Sequence, residues 1–588
     1  MSTAQHQTSR RSFILGTAAA AATAAASTAL ASEASTAEDA AASSTDDVLA
    51  ALADNPAAAA TAGAQFWFKP AQPVADDDIA DTFEADVVIL GAGHAGTCAA
   101  RAAAEAGASV LVNEAQDEDI FSVNGNELGS INNKLACDRG VPTYNPEDFL
   151  REVERRTIGR CNADVIRAFA NRSGEHVDWF MEPLSQEFLD SIDTFCAEMP
   201  ANYPGSNNGI NVFLGCNSFF GGGDFTMTNA IKANQELAKQ AGAEFHFGTY
   251  GDQPVMEDGA CKGIIAHDVE TGEHYKFLAK KGVILCGGDW SANDDMVRWL
   301  LPEYVEFNQG NQATGCGRDG SGCQIGIMAG GHIEEGPRGA TYSMQAGLAG
   351  PLGATAFLRL NARGERYCNE GMYGAWGQGQ AAARTPGNLL CAVWDANWQD
   401  ELTYQPPDHF NIDPNWSSFQ GIIDAMSAIE PGGEGDVPCQ VWTPAGYPTY
   451  KVVCANTLDE LADAIGYEGE AKENFLASIE RYNELCAAGD DPDYAKEAFL
   501  LHPIEQPPFY AYASGKYFGD LVVTLSGLRI DGNQQVLDSN YEAIPGLYAC
   551  GNNSGGRFIL NYSTTVTGMS LGMAQLQGQV AGEYVAGL

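Results

Sequence analysis

The hydrophobic pattern is densest between residues 86 and 114. Asp86-Val87-Val88-Ile89-Leu90 is a continuous apolar run, as expected of a strand buried on both faces of a parallel sheet. It runs straight into Gly91-Ala92-Gly93-His94-Ala95-Gly96 and then an alanine-rich stretch to Gly107, which predicts a helix. A second apolar run, Val110-Leu111-Val112-Asn113, ends at Glu114. The strand-then-glycine pattern returns twice, in Val283-Ile284-Leu285-Cys286-Gly287-Gly288 and in Ile544-Pro545-Gly546-Leu547-Tyr548-Ala549-Cys550-Gly551-Asn552. A small-residue helix follows from about Thr567. Together these predict an α/β fold with a Rossmann-like domain.

Each part of the first unit has a physical task. Gly91 permits a tight turn, Gly93 lets backbone approach a pyrophosphate, and Gly96 lets helix and strand pack closely. The helix amino end then faces phosphate. Glu114 lies 23 residues beyond Gly91, where a carboxylate accepts hydrogen bonds from an adenosine ribose. The two later strand–glycine units, with no second GxGxxG, favour FAD over NAD. The candidate cofactor residues are Gly91, Gly93, His94, Ala95, Gly96, Glu114, Asn126, Gly288, Gly551, Asn552 and Gly568. No further flavin-attachment domain is visible, so the FAD is expected to be held non-covalently.

The amino terminus changes the picture of where the chain works. Ser9-Arg10-Arg11-Ser12-Phe13-Ile14-Leu15 precedes an uncharged, alanine-rich segment ending in Ala29-Leu30-Ala31. That order looks like a twin-arginine signal over residues 1–31, which predicts export to the periplasmic or other extracytoplasmic side. The segment is too weakly apolar for permanent membrane insertion. Residues 32–80, rich in Ala, Ser, Thr and Asp, read as a disordered linker. With 32 basic and 77 acidic residues the net charge is −45, which argues against nucleic acid as a partner. The 15 cysteines contain no CxxC pair, and without clustered thiolates no metal site is expected. The nearest pair, Cys316 and Cys323, reads as loop packing. So many unpaired thiols in an exported chain suggest a poorly oxidising setting.

From about residue 84 to the end the chain resembles the fumarate reductase/succinate dehydrogenase flavoprotein family. Besides the loops above, Thr457-Leu458-Asp459-Glu460-Leu461, Glu480-Arg481-Tyr482-Asn483, Gly489-Asp490 and Pro507-Pro508-Phe509-Tyr510-Ala511 are similar to its capping-domain run, and Ser526-Gly527-Leu528-Arg529-Ile530-Asp531 to its return. The resemblance implies FAD-binding segments at 81–330 and 515–588 around an inserted α+β capping domain at 331–514. Substrate would lie between cap and flavin.

Three departures bear on the substrate. After Asn361-Ala362-Arg363-Gly364-Glu365-Arg366-Tyr367-Cys368-Asn369-Glu370, the family's arginine proton donor falls at Gly374. Its carboxylate-binding His and Arg fall, counting from Gly551, at Phe558 and Tyr562. Two substrate carboxylates would then be desolvated without matched cations, although Arg557 can serve one. Gly551-Asn552-Asn553-Ser554 through Asn561-Tyr562 is instead similar to the loop of 3-ketosteroid dehydrogenases, where a tyrosine works on an enone. Tyr562 reads either as that phenol, neutral and able to donate, or as a buried tyrosine at the domain seam. Tyr203 is a second candidate phenol, with Tyr342 and Tyr373 unranked, and Phe219, Phe220 and Trp290 are candidates for an apolar pocket.

The expected function is FAD-dependent reduction of a double bond conjugated to a carbonyl, with electrons from a separate donor such as a cytochrome or membrane quinol system. A steroid-type dehydrogenase working oxidatively, and a flavoprotein-like binder without turnover, are the alternatives.

Overall fold

The computed structural model describes residues 67–588 apart from 196–198, 208, 303–317, 337, 343–349, 354, 372–380, 383–384, 387–388, 407–418, 439–448, 515–520, 559, 561 and 563. The leader, most of the linker, Cys316, Tyr373 and Gly374 therefore lie outside the described residues. Part of the linker read from composition is packed. Trp67 and Phe68 are buried, and the first strand starts at Ile79. An aromatic pair brings more apolar area than its polar surroundings suggest.

The first sheet is built from β1 (Ile79–Leu90), β2 (Val110–Glu114), β5 (Ala243–Phe247), β6 (Thr249–Glu257), β7 (Ala260–Asp268), β8 (His274–Leu285), β16 (Gln535–Leu537) and β17 (Ala543–Ala549), with β3 (Glu127–Gly129) and β4 (Cys216–Ser218) in a smaller sheet beside it. Strands β5, β2, β1 and β8 lie side by side and parallel. The sheet then forks. The amino-terminal half of β8 pairs with β7, which pairs with β6, both antiparallel. Its carboxyl-terminal residues Val283–Leu285 instead pair in parallel with Leu547–Ala549 of β17. The chain's last quarter thereby completes a sheet that its first part began, as the two-segment reading requires.

Val87, Val88 and Ile89 are fully buried, because β1 has α1 (His94–Glu105) over one face and packed chain over the other. Nearly every residue of α1 is buried. Its alanines let it lie between the sheet and the last helix, α7 (Met569–Ala586), whose Gly578 and Gly582 would put a Cβ only 2.0 and 2.4 Å from Ala95 O and Ala99 O. A long helix, α2 (Ala163–Met181), capped by Asn162, packs on α7 from the other side.

A second, antiparallel sheet orders β10 (Leu358–Leu360), β11 (Leu390–Trp394), β14 (Phe509–Ser514), β13 (Thr449–Ala455) and β12 (Glu434–Pro438). Trp394, Trp398, Ile422 and Val452 pack on one face of it; Phe475, Ile479 and Tyr482 of α6 (Glu470–Ala488), with Leu461 of α5 (Leu458–Ile465), pack on the other. Two links reach back to the first sheet's carboxyl-terminal segment. Strand β9 (Ala340–Tyr342) pairs with β15 (Leu521–Thr524), and Ile333 bridges Leu528. Helix α3 (Met227–Gln240) covers α1, and α4 (Ser321–Met328) lies on β6.

Candidate active site

Ligands of open α/β sheets sit beyond the carboxyl ends of the strands, and here three strand ends converge. Cys286 N donates to Leu90 O (2.7 Å), Cys550 N to Leu285 O (3.0 Å) and Gly91 N to Asn113 O (2.6 Å). The three strand–glycine junctions thus stand side by side and open on a cleft of about 650 Å³. Of the sequence candidates, Gly91, Gly93, His94, Ala95, Glu114, Gly288, Gly551 and Asn552 line it. Gly96 does not. Its Cβ would stand 1.8 Å from Gly91 O, so this glycine serves helix–turn packing. Asn126 and Gly568 are also away from the wall. Asn126 O accepts from Phe219 N (2.8 Å), and Gly568 caps α7 with its carbonyl accepting from Gly129 N (3.0 Å).

Gly91 adopts φ +91°, and a Cβ there would meet Cys286 O at 2.6 Å. Gly93 is different, since a Cβ there meets nothing within 4 Å. What it would fill is the space in front of the α1 amino end. Glu114 is held with both oxygens in use, Oε2 accepting from Ala92 N (2.8 Å) and Oε1 from Gln116 N (2.9 Å). Beside it Asn113 donates to Thr249 Oγ1 (3.3 Å), while its buried Oδ1 has no partner among the described residues. An open phosphate cradle, a fixed carboxylate and an orphaned amide oxygen together fit the pyrophosphate, ribose and adenine end of FAD.

His94 is half-buried and neutral, its pKa driven down to about 4 by desolvation. Gln575 Nε2 donates to its Nδ1 (3.1 Å), which leaves Nε2 protonated to donate to Asn124 O (2.9 Å). The ring therefore fixes the 122–124 loop against α7 and carries no charge to the phosphates.

At Asn552 the cleft meets the catalytic candidates. Arg557 is fully buried; its guanidinium donates to Asn552 Oδ1 and, at 3.4 Å, to Ser570 O in the first turn of α7. Its Nε has no partner among the described residues. Desolvation lowers its pKa to about 10, so it stays cationic at neutral pH. Tyr562 stacks near Phe558, ring centres 5.0 Å apart. Burial pushes its phenol up to about 12, against the pull of a hydrogen bond with Ser570 and of nearby Arg557. Two carboxyls face this group: half-buried Glu127, which acts on Tyr562, and buried Glu334, which acts on Arg557; desolvation raises both to about 7. Glu334 Oε2 accepts from Gly556 N (2.6 Å), and its Oε1 has no partner among the described residues. Arg338 and Arg160 also act on Glu334, so the region holds more cations than motif counting suggests, though with a carboxylate among them.

The remaining candidates sit elsewhere. Tyr203 lies in a separate cluster with Leu214 and Cys216, its ring 6.0 Å from that of Phe499. Trp290 is core and donates from Nε1 to Ser526 O (2.9 Å), and Phe219 packs among Phe180 and Phe188. Sequence reasoning missed Asn113, Arg318 and Asp319. Asn113, a polar residue ending a buried strand, gave a usable signal. Arg318, which pairs with buried Asp289 at 2.6 Å, gave none.

A two-segment parallel sheet with a glycine-cradled cleft at its strand ends defines a dinucleotide-binding α/β flavoprotein. Residues 86–563 match the FAD binding domain family, and the chain belongs to that family. It is a flavoenzyme. It is 24% identical over 526 residues to the vinyl phenol reductase of Lactiplantibacillus plantarum, covering 85% of this chain and 96% of that one. It is likewise 24% identical over 531 residues to the urocanate reductase of Eggerthella lenta, covering 86% and 75%. Among solved structures, 3-ketosteroid-Δ4-(5α)-dehydrogenase from Rhodococcus jostii in complex with 4-androstene-3,17-dione is similar with a TM-score of 0.60 and 21% identity, covering 88% of this chain and 99% of that one. That last likeness is one of fold.

Proposed function

We propose that this flavoenzyme reduces a carbon–carbon double bond conjugated to a carbonyl, of enone or acrylate type, with non-covalent FAD. The observation that carries the reading is a buried cation, Arg557, joined to the cleft through Asn552, with the half-buried phenol of Tyr562 beside it. Both sequence relatives are reductases of C=C bonds, which supports the same class.

The chemistry that bound FAD supplies there is hydride transfer. Gly91 and Gly93 would hold its pyrophosphate and Glu114 its ribose. Arg557, cationic and desolvated, polarises the substrate oxygen or pairs one carboxylate, an interaction stronger in this low-dielectric site than in water. Tyr562 keeps its proton at neutral pH and would deliver it to the carbon α to the carbonyl, the β carbon taking the hydride that bound FAD would supply. One hydride and one proton saturate the bond. The electrons come from a separate donor such as a cytochrome or membrane quinol system. No helix among the described residues is long and apolar enough to cross a membrane.

The test is anaerobic: holoprotein reduced with viologen dye is mixed with enones, acrylates, vinyl phenols and fumarate. Reoxidation by a member of the first three classes, with fumarate slower, is expected. No reoxidation by any of them, or fumarate matching the best, contradicts the reading. Export through the twin-arginine pathway belongs to the same proposal. Changing Arg10 and Arg11 to Lys should hold precursor in the cytoplasm, and undiminished export would refute it.

A further inference from the structure

On the antiparallel arm of the first sheet, away from the glycine junctions, three side chains from three neighbouring strands meet. Asp252 is on β6, His267 on β7 and His274 at the start of β8. His267 and His274 are directly opposed cross-strand partners, and Tyr250 opposes His267 on its other side. Opposed residues share a face, so both imidazoles project the same way. Asp252 reaches them through an irregularity. The β6–β7 register jumps between Gly251 and Gln253, which makes Asp252 the extra residue of a bulge. Bulges re-aim side chains in this manner.

The result is compact. His267 Nδ1 lies 2.9 Å from Asp252 Oδ2, and His274 Nε2 lies 3.9 Å from the same oxygen. One nitrogen from each ring and one carboxylate oxygen all fall within 4.8 Å of one another. Bonds of about 2.1 Å to imidazole and carboxylate place adjacent ligand atoms roughly 3.0–3.4 Å apart, so the set closes when its widest separation shrinks by at most about 1.5 Å. The rings are held in place, His267 between Tyr250 at 5.3 Å and His274 at 5.9 Å between centres. The side chains are 15–32% exposed, which leaves the outer coordination positions to water.

The geometry points to a divalent transition-metal site formed by Asp252, His267 and His274. Two imidazoles with one carboxylate suit Zn²⁺ and its neighbours in the Irving–Williams order, whereas Mg²⁺ and Ca²⁺ favour all-oxygen sets. The net charge of −45 draws cations to the surface. The bound ion ties β6, β7 and β8 together at the amino end of β8. Tyr250 connects this corner to the cleft, since its hydroxyl donates to Asp319, a cleft residue. Thiolate spacing cannot reveal such a site, because its ligands converge only through strand pairing.

The experiment is calorimetric titration of chelator-treated, FAD-loaded protein with ZnCl₂ and, separately, MgCl₂. One strong Zn²⁺ equivalent and no strong Mg²⁺ equivalent are expected. His267→Gln and His274→Gln should each weaken Zn²⁺ binding by about 100-fold or more, since even partners of ligands are worth about 10–100-fold, while the flavin absorbance stays unchanged. Lack of a strong equivalent, or one that survives both substitutions, overturns the site. Should a variant misfold, the parent protein decides: Zn²⁺ should shield His267 and His274 from diethylpyrocarbonate, read by peptide mass spectrometry, and equal modification with and without Zn²⁺ overturns it.

Discussion

Gly93 and Gly96 sit three positions apart in one motif and answer to different constraints. A Cβ at Gly96 would collide with Gly91 O at 1.8 Å, whereas one at Gly93 meets only open cleft. The two substitutions therefore separate folding from binding. Gly93→Val should give a folded protein with no bound FAD, because the branched side chain occupies the pyrophosphate's approach. Circular dichroism together with flavin released by acid precipitation checks this, and a yellow Gly93→Val protein with a parent-like FAD content would contradict it. Arg557 and Tyr562 are legible as candidates because they lie on the glycine-flanked loop that leads into α7. The carboxyls facing them, Glu127 and Glu334, are not, since nothing local marks a glutamate that burial alone raises to about 7.

Helix α7 shows what an element's composition means once its neighbour is known. Its glycines read in sequence as a small-residue helix, and in space they are where α1 comes closest. Gly578→Ala places a methyl 2.0 Å from Ala95 O, forcing the helices apart at a cost of about 1–3 kcal/mol. Gly421, on the exposed face of the helix Phe419–Ser427, has nothing within 4 Å of an added Cβ. The same change there should stabilise by about 0.5–1 kcal/mol, since alanine loses less backbone freedom. Denaturant midpoints of the two variants should move in opposite directions, and a shift of the same sign in both would refute this packing account. The β1–glycine–α1–β2 unit could be read directly because its defining contacts are local. The β6–β7–β8 arm could not, as its bulge and its histidine pair exist only once antiparallel register is set.

Across the whole molecule, buried titratable groups set a pH window. Burial raises Glu127 and Glu334 to about 7, and raises Glu401 to about 8 with Asp395 adding to the shift, all from 4.5. Between those values the folded chain holds protons that the unfolded chain releases, so their contribution falls as pH rises from about 4.5 to 8. His94 and His176 are lowered by burial from 6.5 to about 4. Their sign is opposite: the unfolded chain takes up protons first, and stability is lost as pH falls through 6.5 toward 4. The two effects oppose each other below 6.5, and only the carboxyls act above it. The three carboxyls outnumber the two imidazoles, so thermal midpoints of the holoprotein should already fall as pH rises above about 5 and keep falling from 6.5 to 8, with Glu401→Gln flattening the decline. A midpoint that climbs over that interval contradicts the assignment.

The central claim is that Tyr562 supplies the proton that completes saturation of the substrate's double bond. Its most direct test is single-turnover stopped flow, mixing dye-reduced parent and Tyr562→Phe holoprotein with the best enone or acrylate from the substrate panel. The phenylalanine ring keeps the packing against Phe558, so fold, bound FAD and the rate of dye reduction should be unchanged. Flavin reoxidation by substrate should slow by about 10²–10⁴-fold, the worth of a positioned acid. A Tyr562→Phe protein that reoxidises at the parent rate would contradict the account and leave Tyr562 a packing residue.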